Sequence, residues 1–324
     1  MSSLEPIPLS VYQAAIVTEC ACAVQIAIKD YTVPRIIFLE QYVVKFNNQD
    51  ILNEGDTLAF VYAALKGSPN APRVPEIHEC FSWDGIQYLV MERVDLPTVE
   101  SWINNAASEA ETQSRFDIAC RSVADALSWL FTLSPPDGAE IGLIKGAYAQ
   151  TQSPHVCARS GRSYHRFFGG GFSAPHRYTG APALHRHINK ALRQYTPRRA
   201  PLPVVEISDE PLVMVQGDIR PRNFLIDPET QRVTLIDFGC VCALPRSFVS
   251  YTLHVAGDKF ITNIDKYLSW ERSENLSAMA AAQGLFCMMA SKSLGLDADG
   301  YPVPPVPKVV SRWRPTSSEP SVKM

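Results

Sequence analysis

Residues Val213–Gly239 read Val-Met-Val-Gln-Gly-Asp-Ile-Arg-Pro-Arg-Asn-Phe-Leu-Ile-Asp-Pro-Glu-Thr-Gln-Arg-Val-Thr-Leu-Ile-Asp-Phe-Gly. Two short apolar runs, Phe224–Ile226 and Val233–Ile236, flank Asp227-Pro228-Glu229-Thr230. Those central residue types favour a tight turn, so the stretch predicts a β-hairpin. Asp218 and Asn223 precede the first run, and Asp237 follows the second, ahead of Phe238-Gly239. A hairpin brings its two ends together, so a carboxylate, a carboxamide and a second carboxylate are expected at one end of it. Oxygen ligands grouped in this way suit Mg²⁺, which takes one or two protein carboxylates and keeps room for substrate phosphates.

The chain around this hairpin has 324 residues, enough for one large or two medium domains with a substantial core. Its 46% hydrophobic and 19% charged content is ordinary for a globular protein, and a net charge of −3 argues neither for nor against nucleic acid. No apolar run reaches about 18 residues, so no membrane span is expected. The start, Met-Ser-Ser-Leu-Glu-Pro, lacks the basic and apolar regions of a secretory signal, and a cytoplasmic location is expected. Eight cysteines include the pairs Cys20-Ala-Cys22 and Cys240-Val-Cys242 inside apolar runs. Such C-x-C pairs are read as reduced, mostly buried thiols rather than as a zinc site.

From the N-terminus, Ala14–Val17, Ala23–Ile28, Arg35–Leu39 and Tyr42–Phe46 read as strands, being apolar and β-branched with polar or proline breaks. Lys45 stands alone in the last of them, where a charge is costly without a partner. Asn53–Tyr62 reads as a helix, with Asn53 as cap and Leu58, Val61, Tyr62 and Leu65 on one face. Glu54 lies in its first turn. Lys45 and Glu54 are open to two readings: a surface lysine and a dipole-compensating acid, or a pair that holds nucleotide phosphates. Glu76–Trp83 and Gln87–Glu92 form a strand pair across Asp84-Gly85. A lobe boundary follows Met91–Val94, with a helix starting near Thr98.

Downstream, Phe116, Cys120, Val123, Leu127 and Leu130 mark the buried face of a helix within Glu111–Leu133. Leu184, Ile188, Ala191, Leu192 and Tyr195 mark a second. Ser247–Tyr267 and Glu274–Ser293 also read as helices. Asp297–Met324, with six prolines, is expected to be an extended or disordered tail. Residues 141–205 contain no Asp or Glu but ten Lys or Arg (145, 159, 162, 166, 177, 186, 190, 193, 198 and 199) and five His. They can be a loop with a basic helix face, or a docking surface for an anionic substrate or partner. Nucleic acid is disfavoured because no nucleic-acid motif accompanies the charge.

Asp218 and Asn223 in an Asp-x-x-x-x-Asn spacing, then a strand ending in Asp237-Phe238-Gly239, resemble the phosphoryl-transfer motifs of the protein-kinase type. The resemblance implies an α+β, two-lobed protein-kinase-like fold. Its N-terminal lobe would be a small antiparallel sheet, five-stranded here, with one helix, and its C-terminal lobe larger and mainly helical. The lobes would span 1–94 and 95–295, followed by the tail 296–324. The closer likeness is to aminoglycoside phosphotransferase and choline-kinase-type small-molecule kinases, whose signature is close to His-Gly-Asp-Leu-His-x-x-Asn. Gln216-Gly217-Asp218-Ile219-Arg220-Pro221-Arg222-Asn223 stands in its place. Glu54–Val61 and Leu244–Val249 look like fungal phosphotransferase-like members.

The resemblance implies ATP and Mg²⁺ as cofactors. Asp218 would orient the acceptor hydroxyl and take its proton, and Arg220 could clamp a phosphate. Asn223 and Asp237 would hold Mg²⁺. Lys45, positioned by Glu54, would contact the α- and β-phosphates, and backbone groups of Met91, Glu92 and Val94 would grip the adenine. Three departures stand against the pattern: Gln216 and Arg220 replace its two histidines, and residues 11–44 contain no glycine for a phosphate-covering loop.

The first reading is therefore an ATP- and Mg²⁺-dependent phosphotransferase acting on a small-molecule hydroxyl, the second a catalytically silent kinase-like binding protein. Phosphorylation of proteins is disfavoured by the lack of an Ala-Pro-Glu motif after Asp237. The acceptor pocket is expected at 141–205, whose basic side chains fit an anionic acceptor better than a cationic one.

Overall fold

The computed structural model describes residues 9–28, 35–47, 49–150, 161–255, 257–289 and 291–304. It opens with a helix, α1 (Val11–Ile28), where the sequence predicted strands at Ala14–Val17 and Ala23–Ile28. Two local causes outweigh the β-branched residues. Alanine, the best helix former, recurs through the segment, and no glycine or proline interrupts it. Ser10 and Gln13 also close a reciprocal cap, Ser10 Oγ accepting from Gln13 N (3.1 Å) and Gln13 Oε1 from Ser10 N (3.0 Å).

A four-stranded antiparallel sheet follows, β1 (Ile36–Phe38), β2 (Tyr42–Asn47), β3 (Ile77–Trp83) and β4 (Ile86–Glu92), in the order β1-β2-β4-β3. Among the described residues it has four strands rather than five, and two helices attend it rather than one. Asp84 (φ 47°) and Gly85 (φ 75°) take the left-handed conformations of the tight β3–β4 turn. Helix α2 (Ile51–Ala64) lies across the face opposite α1, starting two residues before the expected Asn53. Side chains alternate along β2, so Val44 and Phe46 join Tyr88, Val90, Ile16 and Cys20 under α1. Lys45, paired with Leu89 in the β2–β4 register, points the other way, towards α2.

Beyond Glu92 the chain becomes mainly helical. Thr98 caps α3 (Val99–Asn104) and Ser108 caps α4 (Glu109–Thr132), each through its side-chain oxygen. Cys120, Val123, Leu127 and Leu130 of α4 are buried, as are Leu184, Ile188, Ala191 and Leu192 of α6 (Ala181–Tyr195); Tyr195, expected on the same face, is 44% exposed. A short helix, α5 (Ala147–Gln150), precedes α6. The predicted hairpin forms as β6 (Phe224–Ile226) and β7 (Val233–Leu235), framed by the antiparallel pair β5 (Leu212–Gln216) and β8 (Val241–Pro245).

Ser247–Tyr267, expected as one helix, is two: α7 (Ser247–Val255) and α8 (Lys259–Asp265). Gly257 turns with φ 63°, and Asp258 restarts the helix by accepting from Phe260 N at 2.8 Å. Helix α9 (Leu276–Met288) completes the lobe. The start of the expected tail is packed rather than free: Thr179 donates to Asp299 (2.7 Å), and the Arg186 guanidinium lies 4.4 Å from the Tyr301 ring. Residues 305–324 of that tail, together with Cys157 and Arg159, lie outside the described residues.

The two C-x-C pairs sit apart, one on α1 and one on β8 and the turn before it. Among the described residues no cluster of three or more His, Cys, Asp or Glu could hold a metal, and no helix is long and apolar enough to cross a membrane.

Candidate functional site

Helix α2 begins from Asp50, whose left-handed backbone (φ 63°) turns the chain sharply off β2. Glu54, 4% exposed, thereby comes under the sheet, and Lys45 Nζ lies 2.8 Å from its Oε1 and 2.7 Å from Asp237 Oδ1. Burial pulls the Lys45 pKa down, but the Glu54 and Asp237 carboxylates outweigh it and hold the ammonium above its ordinary value. Burial likewise pushes Glu54 up, against the pull of Lys45 and of the Gly239 N–H that it accepts. A Cβ on Gly239 would stand 3.1 Å from Glu54 Oε2, so the glycine of Asp-Phe-Gly permits this close approach. Asp237 is itself left-handed (φ 60°), a conformation aspartate tolerates better than most residues.

The loop after β5 carries the second group. Gln216 is buried, and its Oε1 accepts from Asp218 N at 3.0 Å, so it holds this loop without a charge. Gly217 N donates to Cys240 O (2.8 Å), and a Cβ there would meet Tyr164 O at 2.6 Å. Asn223 Nδ2 donates to Asp218 O (2.9 Å) and Oδ2 (3.1 Å). Asp218 Oδ1 is shared by two arginines, Arg220 Nε at 2.7 Å and Arg166 Nη2 at 3.7 Å. The Arg220 contact is an ion pair whose N–H is not aligned as a hydrogen bond. In the β6–β7 register Phe224 faces Leu235, and Ile236 N reaches Asn223 O (3.4 Å), so Asn223 and Asp237 end the two strands side by side.

These contacts bring Lys45, Glu54, Asp218, Arg220, Asn223 and Asp237 into one cleft-side constellation. The Asn223 amide N–H groups are committed to Asp218, while its Oδ1 and Asp237 Oδ2 accept no hydrogen bond among the described residues. A carboxylate oxygen and a carboxamide oxygen are hard donors of the kind Mg²⁺ takes when phosphates supply the rest, so this pair fits that ion.

Met91 pairs with Val43 and Ile77 at the end of β4, and the Glu92 side chain is engaged by Arg73 and by Glu76 N (3.3 Å). Val94 O accepts from Leu96 N (2.9 Å), and the Val94 N–H has no partner among the described residues. Strands β1 and β2 are joined by Leu39-Glu40-Gln41, again without glycine.

The basic segment is anchored by α2 and by Asp50 just before it, through its backbone and tyrosine groups. Asp50 accepts from Gly161 N (2.6 Å) and Tyr164 Oη (2.6 Å), and Asp56 from Tyr148 N (2.9 Å) and Ala149 N (2.8 Å). Thr57 Oγ1 accepts from Ile144 N (2.9 Å), and Arg177 pairs with Glu140 while reaching Asn53 Oδ1 (3.5 Å). Of the ten basic residues, Arg166 is the one that meets Asp218; Arg186 instead holds the chain at Asp299 and Tyr301.

Beside Asp218 a cavity of about 420 Å³ opens, lined in part by His165, Arg166, Phe172, Gly217, Ile219 and Tyr251. His165 is fully buried there, its Nε2 2.7 Å from Thr252 Oγ1, and burial next to Arg166 pushes its pKa down to about 3. Sequence reasoning singled out neither His165 nor Arg166. The available signal was their place in the acid-free segment, next to Phe167, Phe168 and Phe172.

The sequence model of the Phosphotransferase enzyme family matches residues 30–248. No curated protein matches the chain. Among solved structures, a thermostable mutant of aminoglycoside phosphotransferase APH(4)-Ia is 14% identical, with a TM-score of 0.42 over 83% of this chain and 90% of that one. An aminoglycoside phosphotransferase from Streptomyces rimosus in complex with ADP and streptomycin is 15% identical, with a TM-score of 0.39 over 86% and 99%. A macrolide 2'-phosphotransferase type I is 14% identical, with a TM-score of 0.37 over 87% and 90%.

Proposed function

This chain belongs to the phosphotransferase enzyme family, and on that premise we propose that it transfers the terminal phosphoryl group of ATP, with Mg²⁺, to a hydroxyl of a small molecule. The observation that carries the reading is the half-buried Lys45 bridge, 2.8 Å to the buried Glu54 and 2.7 Å to Asp237, formed beside Asp218 and Asn223. A half-buried strand lysine matched to two carboxylates needs both partners in place to offset its desolvation. It supplies the fixed positive charge that phosphoryl transfer uses for positioning and charge neutralisation.

In this reading Lys45 binds the α- and β-phosphates, with Glu54 fixing its direction. Asp218 accepts the hydroxyl proton as the acceptor oxygen bonds to phosphorus and ADP departs. Arg220 faces the transferred group, and Gln216 and Asn223 keep the Asp218 loop in place. Met91, Glu92 and Val94 provide backbone groups for the adenine, among them the Val94 N–H, which has no partner among the described residues. Asn223 and Asp237 would hold Mg²⁺, which would supply neutralisation of phosphate charge.

Thermal unfolding with ATP and Mg²⁺ tests the proposal. Nucleotide at a hundred times its dissociation constant should stabilise the fold by about 2.7 kcal/mol. Asp237→Ala should abolish the magnesium dependence of that shift. Asp218→Ala should keep the shift and lose turnover. No shift at millimolar nucleotide rejects the enzyme reading.

The second reading, a silent kinase-like binding protein, is favoured by one observation. Both Asp218 carboxylate oxygens are already engaged, Oδ1 by two arginines and Oδ2 by the Asn223 amide. A nucleotide-induced thermal shift with no turnover of any hydroxyl acceptor by the wild type would select it.

A further inference from the structure

Resting on the phosphotransferase reading, we propose that the acceptor is a hydroxylated monocarboxylate with an apolar body, whose carboxylate is bound by Arg166 in the cavity beside Asp218. The cavity of about 420 Å³ falls within the size range of small-molecule sites. Gly217 and Ile219, the residues on either side of Asp218, form part of its wall, so a molecule held there lies next to the Asp218 loop.

Its chemistry is one-sided. Phe172, Tyr251, Val255 and Ile261 give it an apolar body, and no Asp or Glu lines it. His165 is held neutral by burial, which leaves Arg166 as the charged side chain of the lining. The Arg166 guanidinium stands 3.7 Å from Asp218 Oδ1, beyond hydrogen-bond length, and donates no side-chain hydrogen bond among the described residues. Its planar N–H fork is therefore available to a carboxylate, which it matches with two parallel bonds.

Charge decides against a cation. Arg166 and Arg220 face the one carboxylate of Asp218, so this group of three beside the cavity carries one positive charge in excess. An ammonium placed there would sit beside Arg166 and compete for a carboxylate already shared by two guanidinium groups. One carboxylate balances the excess, whereas a phosphate monoester brings about two charges. The other described basic residues of the segment do not line the cavity. Arg177 and Arg186 are engaged elsewhere, so the selectivity rests on one side chain, not on a basic surface.

Calorimetric titration of the nucleotide-free full chain with isosteric probes tests this directly. The probes are meta- and para-(hydroxymethyl)benzoate, their methyl esters and the corresponding (hydroxymethyl)benzylamines, which share body and hydroxyl but differ in charge. At least one benzoate should bind ten or more times tighter than its ester and its amine. Arg166→Gln should reduce that benzoate to the affinity of its ester while leaving ester binding unchanged, which also reports an intact cavity. Arg166→Lys should keep part of the preference, because charge survives without the planar fork. Amines binding as tightly as benzoates, an Arg166→Gln variant that keeps the preference, or binding of none of the probes would overturn the proposal. The phosphotransferase reading fails separately. In that case the benzoate preference remains, but MgATP gives no thermal shift and no probe is phosphorylated.

Discussion

Helices α1 and α2 flank the same four-stranded sheet on opposite faces, and they are opposites in content. Helix α1 is apolar almost throughout, yet Val11, Tyr12 and Cys22 are exposed and only Ile16 and Cys20 are buried among its described side chains. Helix α2 carries Asn53, Glu54, Asp56 and Thr57, and all four are buried. Hydrophobicity alone would have assigned the two helices the wrong way round. The difference lies in partners. Two apolar side chains one helical turn apart are enough to seat α1 on a sheet, whereas each buried polar group of α2 has a specific donor or acceptor elsewhere in the chain. A buried polar group without such a partner would cost about 1–3 kcal/mol. The polar helix is therefore the one that connects the sheet to the Asp237 hairpin and to Ile144, Tyr148, Ala149 and Arg177.

The largest expected effect contrasts function on the two faces. Lys45→Met, on the α2 face, should reduce turnover by two or more orders of magnitude, as loss of one preorganised charge does. Ile16→Ala, on the α1 face, should leave turnover of the folded protein unchanged in a steady-state assay. Equal losses would erase the functional distinction between the faces.

Ile16→Ala should instead cost about 2–5 kcal/mol of stability by urea denaturation, the range for emptying a buried aliphatic site. A negligible cost would mean that α1 is not seated on Val44, Phe46, Tyr88 and Val90. Asp56→Ala strands the N–H groups of Tyr148 and Ala149 and should cost about 1–3 kcal/mol in the same measurement.

Alkaline titration sharpens the comparison further. The folded Lys45 pKa is raised above its ordinary 10.5, so its contribution to stability is complete below that pH. It is lost as pH rises through the folded value. The stability difference between wild type and Lys45→Met should hold constant from neutral pH to about 10 and shrink beyond it, read as urea midpoints. The corresponding difference for Ile16→Ala should not vary with pH.

The smallest effect is chemical. Burial pushes the Cys20 thiol up to about 12, while Cys22, two residues on, is exposed. Iodoacetamide at neutral pH should label Cys22 and spare Cys20, read by mass spectrometry. Labelled Cys20 would show that α1 lifts from the sheet.

Much of the site was readable before any tertiary contact was known. Asp218, Asn223 and Asp237 are tied by the local geometry of one hairpin, and a hairpin follows from turn residues and two short apolar runs. Lys45 and Glu54 were readable as anomalies, a charge in a strand and an acid in a helix start. Helix α1 was misread because β-branched residues were weighed above its alanines and the Ser10–Gln13 cap. How the basic segment packs was not legible, for a deeper reason. The carboxylates that hold it, Asp50 and Asp56, accept from Gly161, Tyr164, Tyr148 and Ala149, about a hundred positions away.

By itself, then, the sequence determined the family, the hairpin and which polar residues gather at it, because those depend on spacing and local backbone preference. The tertiary structure decided that α1 rather than a further strand covers the sheet, that α2 is clamped from both sides, and that Arg166 stands beside Asp218. Each of these is a contact between residues far apart in the chain, chosen by burial and charge pairing, and no local pattern encodes which distant partner will supply it.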